Sequence, residues 1–148
     1  REKHALSDTD RDALIGRYRL PTPPLRFGSL LPGLASAAID ISDGLMADLD
    51  HLARASGVAL AINGEQIPIP ACLKDWWGES ALARAATAGD DYQIAFTADP
   101  ARRADILRAA ADTGVTVTRI GAAVEGAGTA LTMNGAPVAL ARPGYRHF

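Results

Sequence analysis

Two rhythms of apolar and polar positions run along this chain, one helical and one alternating. From Ser7 to about Tyr18, Leu14 and Ile15 form a narrow apolar face on a polar segment, and Ser7 with Asp10 three residues on forms a capping signature. A short helix is predicted there. Leu20-Pro21-Thr22-Pro23-Pro24 cannot continue it and predicts an extended linker. Ala35 to Ile41 is small and apolar, as a buried strand requires. Leu45, Leu49 and Leu52, with Met46 and Ala53, then line one face of a helix, and Asp48, Asp50, His51 and Arg54 are expected on its other faces. Gly57 is placed to end that helix in the left-handed conformation.

The alternating rhythm returns at Val58, Leu60 and Ile62, which predicts a strand that Pro68 and Pro70 interrupt. Ala81 to Thr87 is alanine-rich and predicts a helix. Tyr92, Ile94 and Phe96 alternate with Gln93, Ala95 and Thr97, another strand. Pro100 suits the start of a helix with Ile106, Leu107 and Ala110 inward and Arg102, Arg103 and Arg108 outward, closed by Gly114. Val115 to Ile120 predicts a further strand. Ala130 to Met133 and Pro137 to Leu140 flank Asn134-Gly135, a strong hairpin signal. Strands alternating with helices imply an α/β protein, a mixed β-sheet flanked by helices. Residues 1–34 read as an N-terminal helix with a proline-rich linker, and residues 35–148 as the α/β domain of a longer protein.

Composition narrows the function classes. The 148 residues suffice for one domain with a real core, and 48% of them are hydrophobic, as in soluble globular proteins. A net charge of −2 argues against a general nucleic-acid or anionic-membrane binder. No apolar run is long enough to cross a bilayer. A lone Cys72 cannot form an internal disulfide, which fits a reducing compartment and a cytoplasmic location. The chain starts at Arg1 rather than Met, so it is expected to continue upstream.

Two polar clusters carry candidate chemistry. In Ala38-Ile39-Asp40-Ile41-Ser42-Asp43-Gly44-Leu45, two carboxylates and a hydroxyl fall between a strand and a helix. Ser42 and Asp43 sit where a helix N-cap belongs. Such junctions collect backbone N–H groups and suit phosphate, and carboxylates added there call for a bridging cation such as magnesium. A metal–nucleotide site and a plain turn with a Ser/Asp cap both satisfy this spacing. Gly89-Asp90-Asp91-Tyr92 repeats the design at the mouth of another strand, where two adjacent carboxylates repel unless solvated, hydrogen-bonded or metal-bound. A solvated turn fits equally. The closing Pro143-Gly144-Tyr145-Arg146-His147-Phe148 gathers aromatics on a chain that is only 5% aromatic, which suggests a docked tail. His51, Trp76 and Trp77 read as surface or core residues, Gly126-Ala127-Gly128 as a turn, and no serine sits in a nucleophile elbow.

Taken together, three features resemble thiamine-monophosphate kinase in its second half. They are Ile39-Asp40-Ile41-Ser42-Asp43-Gly44-Leu45 followed by Asp48-Leu49 and Ala55-Ser56-Gly57-Val58, then Gly89-Asp90-Asp91-Tyr92, then Gly144-Tyr145-Arg146-His147-Phe148. The likeness runs from about Leu20 to the end. The first motif is shared more loosely with aminoimidazole ribonucleotide synthetase and selenophosphate synthetase. The resemblance implies a homodimeric enzyme that transfers the γ-phosphoryl of ATP to thiamine monophosphate, with an N-terminal nucleotide- and magnesium-binding domain and a C-terminal α/β domain matching this chain. It implies Asp40 and Asp43 as magnesium ligands, Ser42 as an ATP contact, Asp90 as a substrate contact and Tyr145 as the residue packing on the thiamine ring. It also implies that the chain by itself is inactive. Asp90 and Gln93 stand where the family usually has Glu, which shortens one arm and removes one charge. Two other readings remain: another ATP-dependent synthetase of that superfamily, or a non-catalytic α/β module for binding or dimerisation.

Overall fold

The computed structural model describes residues 5–140 and Gly144. In chain order, helix α1 (Asp8–Arg19) and the single turn α2 (Leu25–Gly28) lead to strand β1 (Ala37–Ile41) and helix α3 (Leu45–Ser56). Strand β2 (Ala59–Asn63), helices α4 (Ala71–Trp77) and α5 (Ala81–Thr87), strand β3 (Gln93–Thr97) and helix α6 (Arg103–Thr113) follow. Strands β4 (Gly121–Val124), β5 (Gly128–Met133) and β6 (Ala136–Pro137) complete the described fold.

Local chemistry accounts for most of these boundaries. Ser7 caps α1, its hydroxyl accepting the Asp10 N–H at 3.1 Å. Gly57 and Gly114 end α3 and α6 at φ of 65° and 68°, a left-handed conformation that glycine adopts without a Cβ penalty. Asn134 and Gly135, both at positive φ, turn β5 into β6 as the hairpin signal predicts. Neither α2 nor α4 is legible in the apolar pattern. Each follows a proline, Pro24 or Pro70, which takes the cap position, and at four and seven residues they are too short for helical spacing to show.

The strands form two sheets. β1 and β3 pair antiparallel, with Asp40 opposite Ile94 and Ile41 opposite Gln93. The other sheet has the order β4-β2-β5-β6 and is mixed, since β2 runs parallel to β5 and antiparallel to β4. The α/β class with a mixed sheet and flanking helices is therefore as expected. Helix α3 packs on β1 as well as on β2 and β5. Its Met46, Leu49, Leu52 and Ala53 bury against Leu60, Ile62 and Leu131. Each such large side chain contributes roughly 1.5–3 kcal/mol. A second cluster joins Phe27 and Leu31 to Ile106, Ala109 and Ala110 of α6, with Phe27 and Phe96 ring centroids 5.8 Å apart.

Three expectations are corrected. Val115 to Ile120 is not a strand, and pairing begins at Gly121. Its alternation is real, since Val115 and Val117 pack on the second cluster and Ile120 on the first, but only its last residue reaches a strand, where the Ile120 carbonyl accepts the Asn63 N–H of β2 at 2.8 Å. Alternation reports one-sided burial, not a partner. Leu107 is 55% exposed, and Ala109 takes the inward position. Ile106, Ala109, Ala110 and Thr113 follow the helical i, i+3, i+4, i+7 spacing, from which Leu107 is offset by one residue. Asp48 does not face away from the core: it is 4% exposed.

Candidate functional site

Strand pairing brings the two polar clusters side by side. Where β1 ends, the Tyr92 N–H donates to the Ile41 carbonyl and the Asp90 N–H to the Ser42 carbonyl, both at 2.8 Å. The loop of Ser42 to Gly44 is thereby zipped to the loop of Gly89 to Tyr92. Two glycines permit the close approach. A Cβ on Gly89 would stand 2.4 Å from the Ser42 carbonyl oxygen, and one on Gly44 2.8 Å from that of Thr87. Asp40, Ser42, Asp43, Asp90 and Tyr92 thus lie on two adjoining segments at one end of the small sheet. An open hollow of about 590 Å³ runs along β1, with Leu31, Pro32, Ile39 and Ile94 in its wall and Asp40 among them.

The second loop is held in an unusual shape. Asp90 and Tyr92 adopt φ of 67° and 50°. Aspartate tolerates this region, whereas an aromatic residue there costs about 1–3 kcal/mol. The Tyr92 hydroxyl donates to the Asp90 carboxylate at 3.3 Å. The Asp90 charge raises the Tyr92 pKa above 10.0; the same hydrogen bond, desolvation, Tyr18 and Asp40 add to the effect. Asp40 and Asp90 therefore act on one phenol from the two clusters. Asp91 is an exposed residue whose carboxyl is partly withdrawn from water. That desolvation is the largest cause of a pKa raised above 3.8; Arg17 opposes it and Asp90 reinforces it. The end of α1 thus supplies Arg17 and Tyr18 to the electrostatics of this loop. No periodicity signals that placement, because α1 reaches the loop only through the tertiary fold.

The first loop is organised by a residue that the sequence reading turned outward. Asp48 Oδ2 accepts the backbone N–H groups of Ser42 and Asp43 at 3.0 Å and of Gly44 at 3.2 Å. Gly44, not Ser42 or Asp43, holds the helix cap position. A signal for Asp48 was present. Leu45, Asp48, Leu49 and Leu52 stand at i, i+3, i+4 and i+7, so Asp48 interrupts the buried stripe itself. The N–H groups of this junction are consequently occupied by the protein's own carboxylate.

The donor set suits a hard cation. Asp40 is exposed and has no ion-pair partner among the described residues. Asp43 is half-buried beside it in sequence. Among the described residues no three His, Cys, Asp or Glu side chains converge to cage a metal. Magnesium fits such a setting, since it takes one or two carboxylates and fills its shell with water and phosphate oxygens. Tyr145 and Phe148 lie outside the described residues. Gly144 packs against the junction, where a Cβ would stand 2.7 Å from the Asp43 carbonyl oxygen and 2.5 Å from Ala47 Cβ. Among the described residues no helix is long and apolar enough to cross a membrane.

No family model matches the chain. It is 35% identical over 140 residues to the thiamine-monophosphate kinase of Caulobacter vibrioides, covering 91% of this chain and 40% of that protein. It is 37% identical over 145 residues to that of Salmonella typhimurium, covering 95% and 44%. Among solved structures, thiamine-monophosphate kinase from Stenotrophomonas maltophilia K279a matches with a TM-score of 0.80 at 34% identity, covering 91% of this chain and 42% of that one. AaThiL complexed with AMPPCP and TMP matches with a TM-score of 0.77 at 32% identity, covering 98% and 44%. The chain thus spans about two-fifths of the length of the curated relatives it matches. Over more than nine-tenths of its own length, it is similar in sequence and in fold to part of the thiamine-monophosphate kinases.

Proposed function

We propose that this chain is the C-terminal α/β portion of a thiamine-monophosphate kinase, which transfers the γ-phosphoryl of ATP to thiamine monophosphate and yields thiamine diphosphate and ADP. The observation that carries the reading is the zipped pair of loops, held by the Asp90 and Tyr92 N–H groups on the Ser42 and Ile41 carbonyls. It assembles the carboxylates and hydroxyl that the resemblance assigns to metal, ATP and substrate. The kinase likeness over nearly the whole chain, and a related structure complexed with AMPPCP and TMP, support the same assignment.

In this reading Asp40 and Asp43 hold Mg²⁺, Ser42 contacts ATP, and Asp90 and Tyr145 contact thiamine monophosphate. Bound magnesium supplies charge neutralisation between phosphates that otherwise repel. The remaining task of the protein is positioning, which is most of what phosphoryl transfer asks of it. An oxygen of the substrate phosphate, already ionised at neutral pH, forms the new bond to the γ-phosphorus as the bond to ADP breaks. No general base is needed. Asp90, one methylene shorter than the Glu usual in the family, reaches less far. In the same reading residues 35–148 are the domain proper and residues 1–34 the segment leading into it, of which Phe27 and Leu31 pack into the core with α6. The complete enzyme is a cytoplasmic homodimer whose N-terminal domain brings further nucleotide and metal ligands.

The test is conversion of thiamine monophosphate and ATP to thiamine diphosphate by the full-length protein, with and without Mg²⁺. The full-length protein is expected to be active only with the metal, and the 148-residue chain alone inactive. Absence of product from the full-length protein ends the kinase reading. Turnover by the chain alone ends the claim that it is one portion of the machinery.

A further inference from the structure

The kinase reading leaves Asp48 without a role, yet no charged residue in the described chain is more buried. Among the described residues it is the one charged side chain in the core, 4% exposed. All three of its hydrogen bonds run through one oxygen to consecutive N–H groups, those of Ser42, Asp43 and Gly44. Three N–H groups converging where a helix begins form an anion-binding concavity, which in many proteins receives phosphate. Here the concavity is filled from within.

We propose that Asp48 is a positioning residue that shapes the Ser42-Asp43-Gly44 loop and closes its backbone N–H groups to substrate phosphate. The inference rests on the kinase reading for its functional consequence, though not for its structural one. With the N–H groups taken, phosphates can be held at this junction only through the side chains of Asp40, Ser42 and Asp43 and the cation that the carboxylates bind. The internal carboxylate fixes the loop that carries Asp43, a cation ligand in the kinase reading. It also orders the loop before any ligand arrives, because the bonds are made within the chain. Asp48 itself touches no substrate.

Asp48→Asn and Asp48→Ala in the full-length protein test this. Asparagine keeps the shape and one acceptor oxygen but removes the charge that draws three N–H groups together; alanine empties the concavity. In wild type, hydrogen exchange of the segment 42–44 should be slow and insensitive to added Mg²⁺ or ATP. In both variants it should accelerate at least tenfold relative to the buried Leu49–Leu52 turn of the same helix. The Mg²⁺ concentration for half-maximal activity should rise at least tenfold, while the KM for thiamine monophosphate changes less than twofold. A lowered melting temperature with unchanged Mg²⁺ response would reduce Asp48 to a fold determinant and overturn the proposal. So would unchanged exchange at 42–44. If alanine abolishes folding, the asparagine variant decides. If the wild type shows no kinase activity, the kinase reading fails while the exchange measurement still decides the structural half.

Discussion

Gly89→Ala isolates the contact on which the site depends. Gly89 does not adopt positive φ, so alanine meets no backbone strain there, and its effect is steric. The new Cβ would lie 2.4 Å from the Ser42 carbonyl oxygen and 3.3 Å from the Asp43 carbonyl carbon, both backbone atoms that cannot rotate away. Restoring ordinary contact requires the two loops to part by about 1 Å. The Asp90 N–H to Ser42 carbonyl bond, 2.8 Å in the structure, would then exceed hydrogen-bonding distance. Overpacking of this kind costs about 1–3 kcal/mol, and the lost bond roughly 0.5–1.5 kcal/mol. The expected destabilisation is about 2–4 kcal/mol, a drop in melting temperature of roughly 5–10 °C for a domain of this size. Asp90 also moves away from Asp40 and Ser42, so the KM for thiamine monophosphate should rise. Thermal unfolding followed by circular dichroism, with steady-state kinetics on the same samples, reads both effects. Gly16→Ala is the control: in exposed α1 its Cβ has nothing within 4 Å, and it should stabilise by up to ~1 kcal/mol. A Gly89→Ala protein that melts with wild type and keeps its KM would refute the loop-zipping argument.

The remaining predictions concern individual side chains. Asp40→Asn should leave the melting temperature within about 2 °C and lower kcat by at least about tenfold, since loss of a metal ligand costs no less than loss of a residue supporting one; a normal kcat would remove Asp40 from the metal site. For Asp91, desolvation raises the folded pKa above 3.8, so the charged form weakens the fold once pH rises through that pKa. Asp91→Asn should therefore melt higher than wild type at pH 7, with the gap closing as pH falls below 3.8. A variant less stable at pH 7 would mean that attraction to Arg17 outweighs desolvation. Tyr145→Ala should raise the KM for thiamine monophosphate about fivefold and leave that for ATP unchanged, the ~1 kcal/mol of a cation–π contact; equal effects on both substrates would take the ring away from the thiamine.

Short-range chemistry was legible along the chain. Ser7, Gly57, Gly114 and Asn134-Gly135 act on the residues next to them, so their caps and turn follow from sequence alone. The apolar stripe of α3 and the alternation in β2 and β3 likewise state which face is buried. Both polar clusters stood out because carboxylates interrupt those patterns. Partners across the fold are a different matter, because apolar periodicity is satisfied by any surface that excludes water. It could not say that β1 pairs with β3 apart from the larger sheet, or that Val115 to Ile120 lies on the core without itself forming a strand. Nor could it join Ser42 to Asp90 or bring Arg17 to Asp91, since those contacts depend on backbone placement between distant segments. Asp48 lies between the two cases. Its place in the apolar stripe is local, but what satisfies a buried charge is decided only when the loop before the helix folds back and presents three N–H groups to it.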